Sequence, residues 1–117
     1  MTNKEIVKEA VAAFVDSDIE KALSYMTEDV EMGWPGFFNL APGKKAIREF
    51  MKDVPEMTSD GIEDLIADGD QVAATGSVLS RHKDGSIRKS FFCDVYGLQH
   101  GKIKAIKSYM VFEKPDE

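Results

Sequence analysis

A chain of 117 residues, 43% hydrophobic and 31% charged, has the size and make-up of one globular domain spanning residues 1–117 around a single core. Its formal charge of −6 argues against a nucleic-acid backbone or an anionic membrane as the main partner. The lone cysteine, Cys93, allows no internal disulfide and belongs to no metal-type cluster. The opening MTNKEIVKEA lacks the apolar run of a signal peptide, and no stretch approaches the ~18 apolar residues of a membrane span, so a cytoplasmic location is expected.

From residue 3 to residue 15, Ile6, Val7, Ala10, Val11 and Phe14 recur at helical spacing with Lys4, Glu5, Lys8 and Glu9 opposite them, which predicts an amphipathic helix. A second short helix follows almost without a loop: Asp16, Ser17 or Asp18 can cap it, and Ile19, Ala22, Leu23 and Met26 form its stripe. In EDVEMGWPG the period changes to two. Val30, Met32 and Trp34 alternate with Glu31 and Gly33 until Pro35 and Gly36 end a short strand. FFNLAPG reads as an apolar loop, and its Phe37, Phe38 and Leu40 need a surface to rest on. GKKAIREFMKDV predicts a third helix that buries Ala46, Ile47, Phe50 and Met51.

After PEMTSDG, read as a connection, the remainder alternates strands with short Gly-containing turns: IEDLIADGD, QVAATGSVLSRH, KDGS, IRKSFFCDVYGL, QHGK and IKAIKSYMVFEK. Strands joined so tightly pair antiparallel as a meander. The fold class expected is α+β, with three early helices packed on one face of a curved antiparallel sheet. Both sheet faces look dry, because FFCDVY is largely apolar on each side and nothing is left in the chain to cover the second face. A homodimer through the outer sheet face is therefore expected.

One residue is out of place. In FFCDVY, Phe92 and Tyr96 flank Asp94 on one side of the strand while Phe91, Cys93 and Val95 lie on the other. An ionised carboxylate in an apolar setting costs several kcal/mol unless it is paired, hydrated or protonated. Desolvation raises its pKa, which suits it to general acid or base work. By strand parity Tyr96 and Ser108 share the Asp94 side and Tyr109 faces away; Tyr25 is a further hydroxyl. Asp94 can equally be a structural acid held by Tyr96, Ser108 or Thr75. His82 and His100 sit at the hairpin turns and read as solvated, without the partners a metal needs. Cys93 reads as a buried structural thiol on the opposite face. With no phosphate loop and no serine elbow, cofactor-free and metal-free chemistry is expected.

The order of VAAFVDSDIEKALSYMTEDVEM, WPG, PGKKAIREFM, EDLIADGDQVAATGSV and HGKIKAIKSYM along essentially the whole chain resembles the NTF2-like α+β cone, in its SnoaL-like and ketosteroid-isomerase-like branch. The resemblance implies a one-ended hydrophobic pocket between the helices and the inner sheet face. The sequence supplies suitable lining in Phe14, Met32, Trp34, Phe37 and Phe38, and again in Phe50, Met51, Phe92, Tyr96 and Met110. Asp94 aligns with the aspartic acid that ketosteroid isomerases keep protonated as an oxyanion-hole donor. Ala10 stands where their donor tyrosine would be, Trp34 where their base aspartate would be, and Met51 where a supporting tyrosine would be. Ketosteroid isomerisation is not expected. The resemblance implies instead a cyclase-like or isomerase-like enzyme acting on a hydrophobic ring-containing molecule with Asp94 as acid/base, ahead of epoxide hydrolysis, whose two acids bridged by an arginine are not visible. The alternative is a non-catalytic dimeric protein that binds a hydrophobic metabolite.

Overall fold

In the computed structural model, which describes residues 1–59 and 61–113, a capping box opens α1 (Asn3–Val15). The Thr2 hydroxyl accepts from the Glu5 amide at 3.2 Å and the Glu5 carboxylate accepts from the Thr2 amide at 3.0 Å. The apolar stripe then buries Ile6, Val7, Ala10 and Ala13. Ser17, at φ 61°, turns the chain sharply, and Asp18 caps α2 (Ile19–Ser24) by accepting from the Lys21 amide. Met26 lies beyond that helix: it starts β1 (Met26–Trp34) and is buried there rather than on a helical stripe. The Arg48 side chain donates to both carboxylate oxygens of Glu20, at 2.8 and 3.0 Å, which ties α3 (Lys44–Met51) to α2. In α3 Ile47 is fully buried, whereas Ala46, Phe50 and Met51 are only half-buried.

Two short strands replace expected loops. Pro35 to Phe37 reverse the chain, and β2 (Phe38–Asn39) pairs antiparallel with β1, Asn39 opposite Gly33 and Phe38 opposite Trp34. A Cβ at Gly33 would collide with the Asn39 side chain, so glycine permits this close pairing. Within PEMTSDG, β3 (Glu56–Thr58) pairs with the far end of β5 (Gln71–Arg81). Asp60 of that segment, and Lys114 at the end of the last expected strand, lie outside the described residues.

The meander β4 (Ile62–Asp68), β5, β6 (Ile87–Gln99) and β7 (Lys102–Phe112) is antiparallel as expected. The turn between β6 and β7 puts His100 at φ 51° and Gly101 at φ 75°, the two positive values a right-twisted two-residue hairpin requires. The sheet order is β2-β1-β7-β6-β5-β3, with β4 also on β5. The sheet is not wholly antiparallel: β1 lies parallel to β7, Glu31 opposite Ala105 and Gly33 opposite Lys107. The meander leaves one edge of β7 unpaired, and β1 satisfies it running the way α2 delivers it. Register shifts between Met26 and Glu31 in β1, and between Gly97 and Leu98 in β6, bend the sheet around the helices. The core fills the base of this curve, where Val7, Leu23, Val30, Val72 and Ile103 are sealed from solvent. No helix among the described residues is long and apolar enough to cross a membrane.

Candidate functional site

Towards the open end of the curve the helices and sheet part, leaving a cavity of about 450 Å³. Strand pairing builds its wall in rungs. Tyr96 lies opposite Val72 and Ile106 at the floor; above it come Ala74, Asp94 and Ser108, and then Gly76, Phe92 and Met110. The next rung holds Val78, Ser90 and Phe112, and the last Ser80 and Arg88. Phe14 of α1, Met32 and Trp34 of β1, Phe37 and Phe38 of the hairpin, and Phe50 and Met51 of α3 close the other side. Every residue read from the sequence as lining or as acid/base therefore borders one space. Trp34 stacks on Phe38 at 4.6 Å between ring centres and meets Phe50 at 4.8 Å, a cluster that joins the β1–β2 edge of the sheet to α3 across from the β5–β7 rungs. Phe37, 78% exposed, stands at the rim.

Asp94 is the one carboxylate among the described lining residues. The Ser108 hydroxyl donates to its Oδ1 at 2.7 Å and the Tyr96 hydroxyl to its Oδ2 at 3.3 Å. Burial pushes its carboxyl up to about 6 against the pull of these two donors, which favour the anion. Burial, and then the neighbouring carboxylate, push the Tyr96 phenol well above its ordinary range, so it stays a donor. A carboxyl titrating near 6 is largely ionised at neutral pH yet close enough to accept and return a proton.

Other hydroxyls stay apart. Thr75 faces the outer side, where its Oγ1 donates to Asp64 at 3.1 Å, so it cannot hold Asp94. Tyr109 faces away and Tyr25 packs against the core. Cys93 is half-buried on the opposite face from Asp94. His100 is exposed in its turn. His82 corrects its reading as a solvated turn residue: its backbone does form the turn, its amide donating to the Ser86 carbonyl at 2.9 Å, but the residue is half-buried and borders the cavity. The strand alternation carried on from Asp94 through Phe92 and Ser90 to Arg88 contains this signal, as does Ser80 near the end of β5, with His82 just beyond that strand. Among the described residues no group of three or more His, Cys, Asp or Glu is placed to hold a metal.

The model of the SnoaL-like domain matches residues 7–106. The chain belongs to the SnoaL-like family. This SnoaL-like chain superposes on TerC, solved with polyporic acid, at TM-score 0.81 and 26% identity over 95% of this chain and 91% of that one. A protein of Xanthomonas campestris pv. campestris proposed to be a polyketide cyclase gives TM-score 0.80 at 18% identity over 92% of each chain. An LEH-like epoxide hydrolase of M. tuberculosis gives 0.81 at 15%, over 93% and 82%. The last two show the NTF2-like fold alone. No curated protein matches the SnoaL-like chain. Within the family frame, Ala10 is sealed in the core and does not border the cavity, whereas Trp34 and Met51 do.

Proposed function

We propose that the cavity binds a hydrophobic ring-containing molecule and that Asp94 acts on it as a general base and acid, in a cofactor-independent isomerisation or cyclisation. One observation carries this reading: the one carboxyl among the described lining residues, titrating near 6, is set deep in the cavity among mainly apolar side chains and beside two hydroxyl donors. Ser108 and Tyr96 hold the anion without neutralising it, so it can remove a proton from carbon while the two hydroxyls keep its oxygens in place. The co-crystal of TerC with polyporic acid supports a ring-containing ligand in this kind of cavity. Epoxide hydrolysis is less well supported, since Asp94 has no second carboxylate beside it among the described residues.

The experiment uses β-tetralone, a ring ketone with acidic C–H bonds, in deuterated buffer at neutral pH. The protein is expected to accelerate hydrogen–deuterium exchange, and Asp94→Asn to lose about 10²-fold or more of that acceleration while still binding the ketone. Equal exchange with both proteins would remove Asp94 from the chemistry. A second reading, a non-catalytic binding protein, is favoured by Ala10, whose methyl side chain supplies no donor and is sealed in the core away from the cavity. It predicts tight binding of the ketone with no acceleration by either protein.

A further inference from the structure

We propose that the mouth of the cavity is a carboxylate-recognition site, in which Arg88 and His82 hold the acidic end of an elongated and otherwise apolar ligand. The proposal rests on the reading of the cavity as a small-molecule site and names the substrate class.

The lining changes character along the sheet. At the Gly76, Phe92 and Met110 rung it offers nothing polar, but the last rungs bring Ser90, Ser80, Arg88 and then His82 into the same wall. A charged side chain at a hairpin end is ordinarily a solvated terminus of a strand. Here strand parity puts Arg88 on the inner face with Asp94, while its neighbour Lys89 goes to the outer face, beside the Phe91 ring at 5.2 Å. Arg88 forms no ion pair among the described residues. The nearby carboxylate of Asp84 is engaged with its own turn: its Oδ1 accepts from the Ser86 amide at 2.9 Å and from the Ser86 hydroxyl at 2.6 Å. The Asp84 charge is felt by both Arg88 and His82, but no described residue accepts a hydrogen bond from the guanidinium, whose fork of donors faces water and the cavity mouth.

One guanidinium and one imidazole match a monoanion, and the planar fork of arginine fits a carboxylate through two parallel hydrogen bonds. On a chain of net charge −6, a cationic residue at the cavity mouth also selects the approach of an anion over the rest of the surface. Asp94 lies six steps along β6 from Arg88, roughly 20 Å of strand at ~3.3 Å per residue. A ligand that touches both ends is therefore long, with its carboxylate at the mouth and its reacting carbon at the far end. Arg88 sets orientation and takes no part in the proton transfer.

The test compares phenyloctanoate with phenyloctanol, which share a body and differ in the end group. Binding to the purified full chain is read from the emission of Trp34, the single tryptophan, which borders the cavity. The carboxylate is expected to bind about tenfold more tightly than the alcohol, a preference that shrinks with added salt. Arg88→Gln abolishes the preference by weakening the carboxylate alone, and Arg88→Lys keeps part of it. Arg88 is exposed, so these variants fold. Equal binding of the two probes by the parent protein, or a preference that survives in Arg88→Gln, overturns the mouth site and leaves the cavity reading standing. Failure of both probes to bind overturns the cavity reading and this proposal together.

Discussion

At Asp94 the catalytic reading and the stability of the fold pull in opposite directions, which makes them separable. In the folded chain its carboxyl is raised from 3.8 to about 6, chiefly by burial. Between these two values the folded protein binds more protons than the unfolded chain, so the contribution of Asp94 to stability is complete below about 4 and is lost as pH rises through 6. The difference corresponds to about 3 kcal/mol against the ionised form. Asparagine removes that cost but gives back part of it, since its amide nitrogen cannot accept from the Tyr96 hydroxyl as the carboxylate does. Asp94→Asn is expected to be more stable than the parent by about 1–2 kcal/mol well above pH 6, with the gain vanishing below pH 4. Denaturant titration at both pH values reads this directly, and a variant less stable than its parent at high pH would make Asp94 a structural acid held by its hydrogen bonds. The residue was legible because a period-two strand leaves no doubt which neighbours share its face. Alternation also puts Arg88 on the Asp94 face, but a polar residue near a hairpin turn looks the same in sequence whether the wall behind it is solvent or a cavity, and His82 lies beyond the paired residues of β5, so neither stands out as lining.

At the level of elements, the long pieces could be read because each carries several repeats of its own period, from the α1 stripe to the four meander strands. β2 and β3 are two and three residues long, too short to show a period, and they exist because β1 and β5 offer unpaired edges to them. The parallel pairing of β1 with β7 is a choice of direction that side-chain pattern does not encode. Gly76 joins the element scale to the site. A Cβ there would come within 2.8 Å of both the Gly61 carbonyl and the Phe92 ring, so its absence lets that ring lie across β5 on the cavity wall. Gly76→Ala must move backbone or displace Phe92, and is expected to cost about 1–3 kcal/mol and to shift Trp34 emission as the cavity reshapes. An unchanged denaturation midpoint would show that the close approach is slack.

At the scale of the whole molecule, the outer sheet face leaves large apolar side chains exposed. Phe91, Tyr109 and Val111 lie on adjacent rungs of β6 and β7, from 42% to 66% exposed, and Leu79 and Ile87 extend the patch at 44% and 60%. Soluble monomers rarely leave so contiguous an apolar surface in water. A standard interface buries about 800 Å² per partner, roughly a tenth of the 7605 Å² this chain exposes. The face also carries both signs of charge, Asp64 near one edge and Lys89 and Lys107 across β6 and β7, so a two-fold axis can pair the patch with itself. The proposed occupant is accordingly a second copy of the chain. Light scattering at micromolar concentration should give twice the 13.0 kDa of one chain, and Val111→Glu should halve that mass. A monomeric parent, or a variant that remains a dimer, would refute the interface. Because the described lining residues belong to the inner side of the curve and not to this face, the Val111→Glu monomer should keep its affinity for phenyloctanoate. Loss of binding together with loss of the dimer would mean that the second copy braces the curved sheet from behind, and that the cavity depends on the pair.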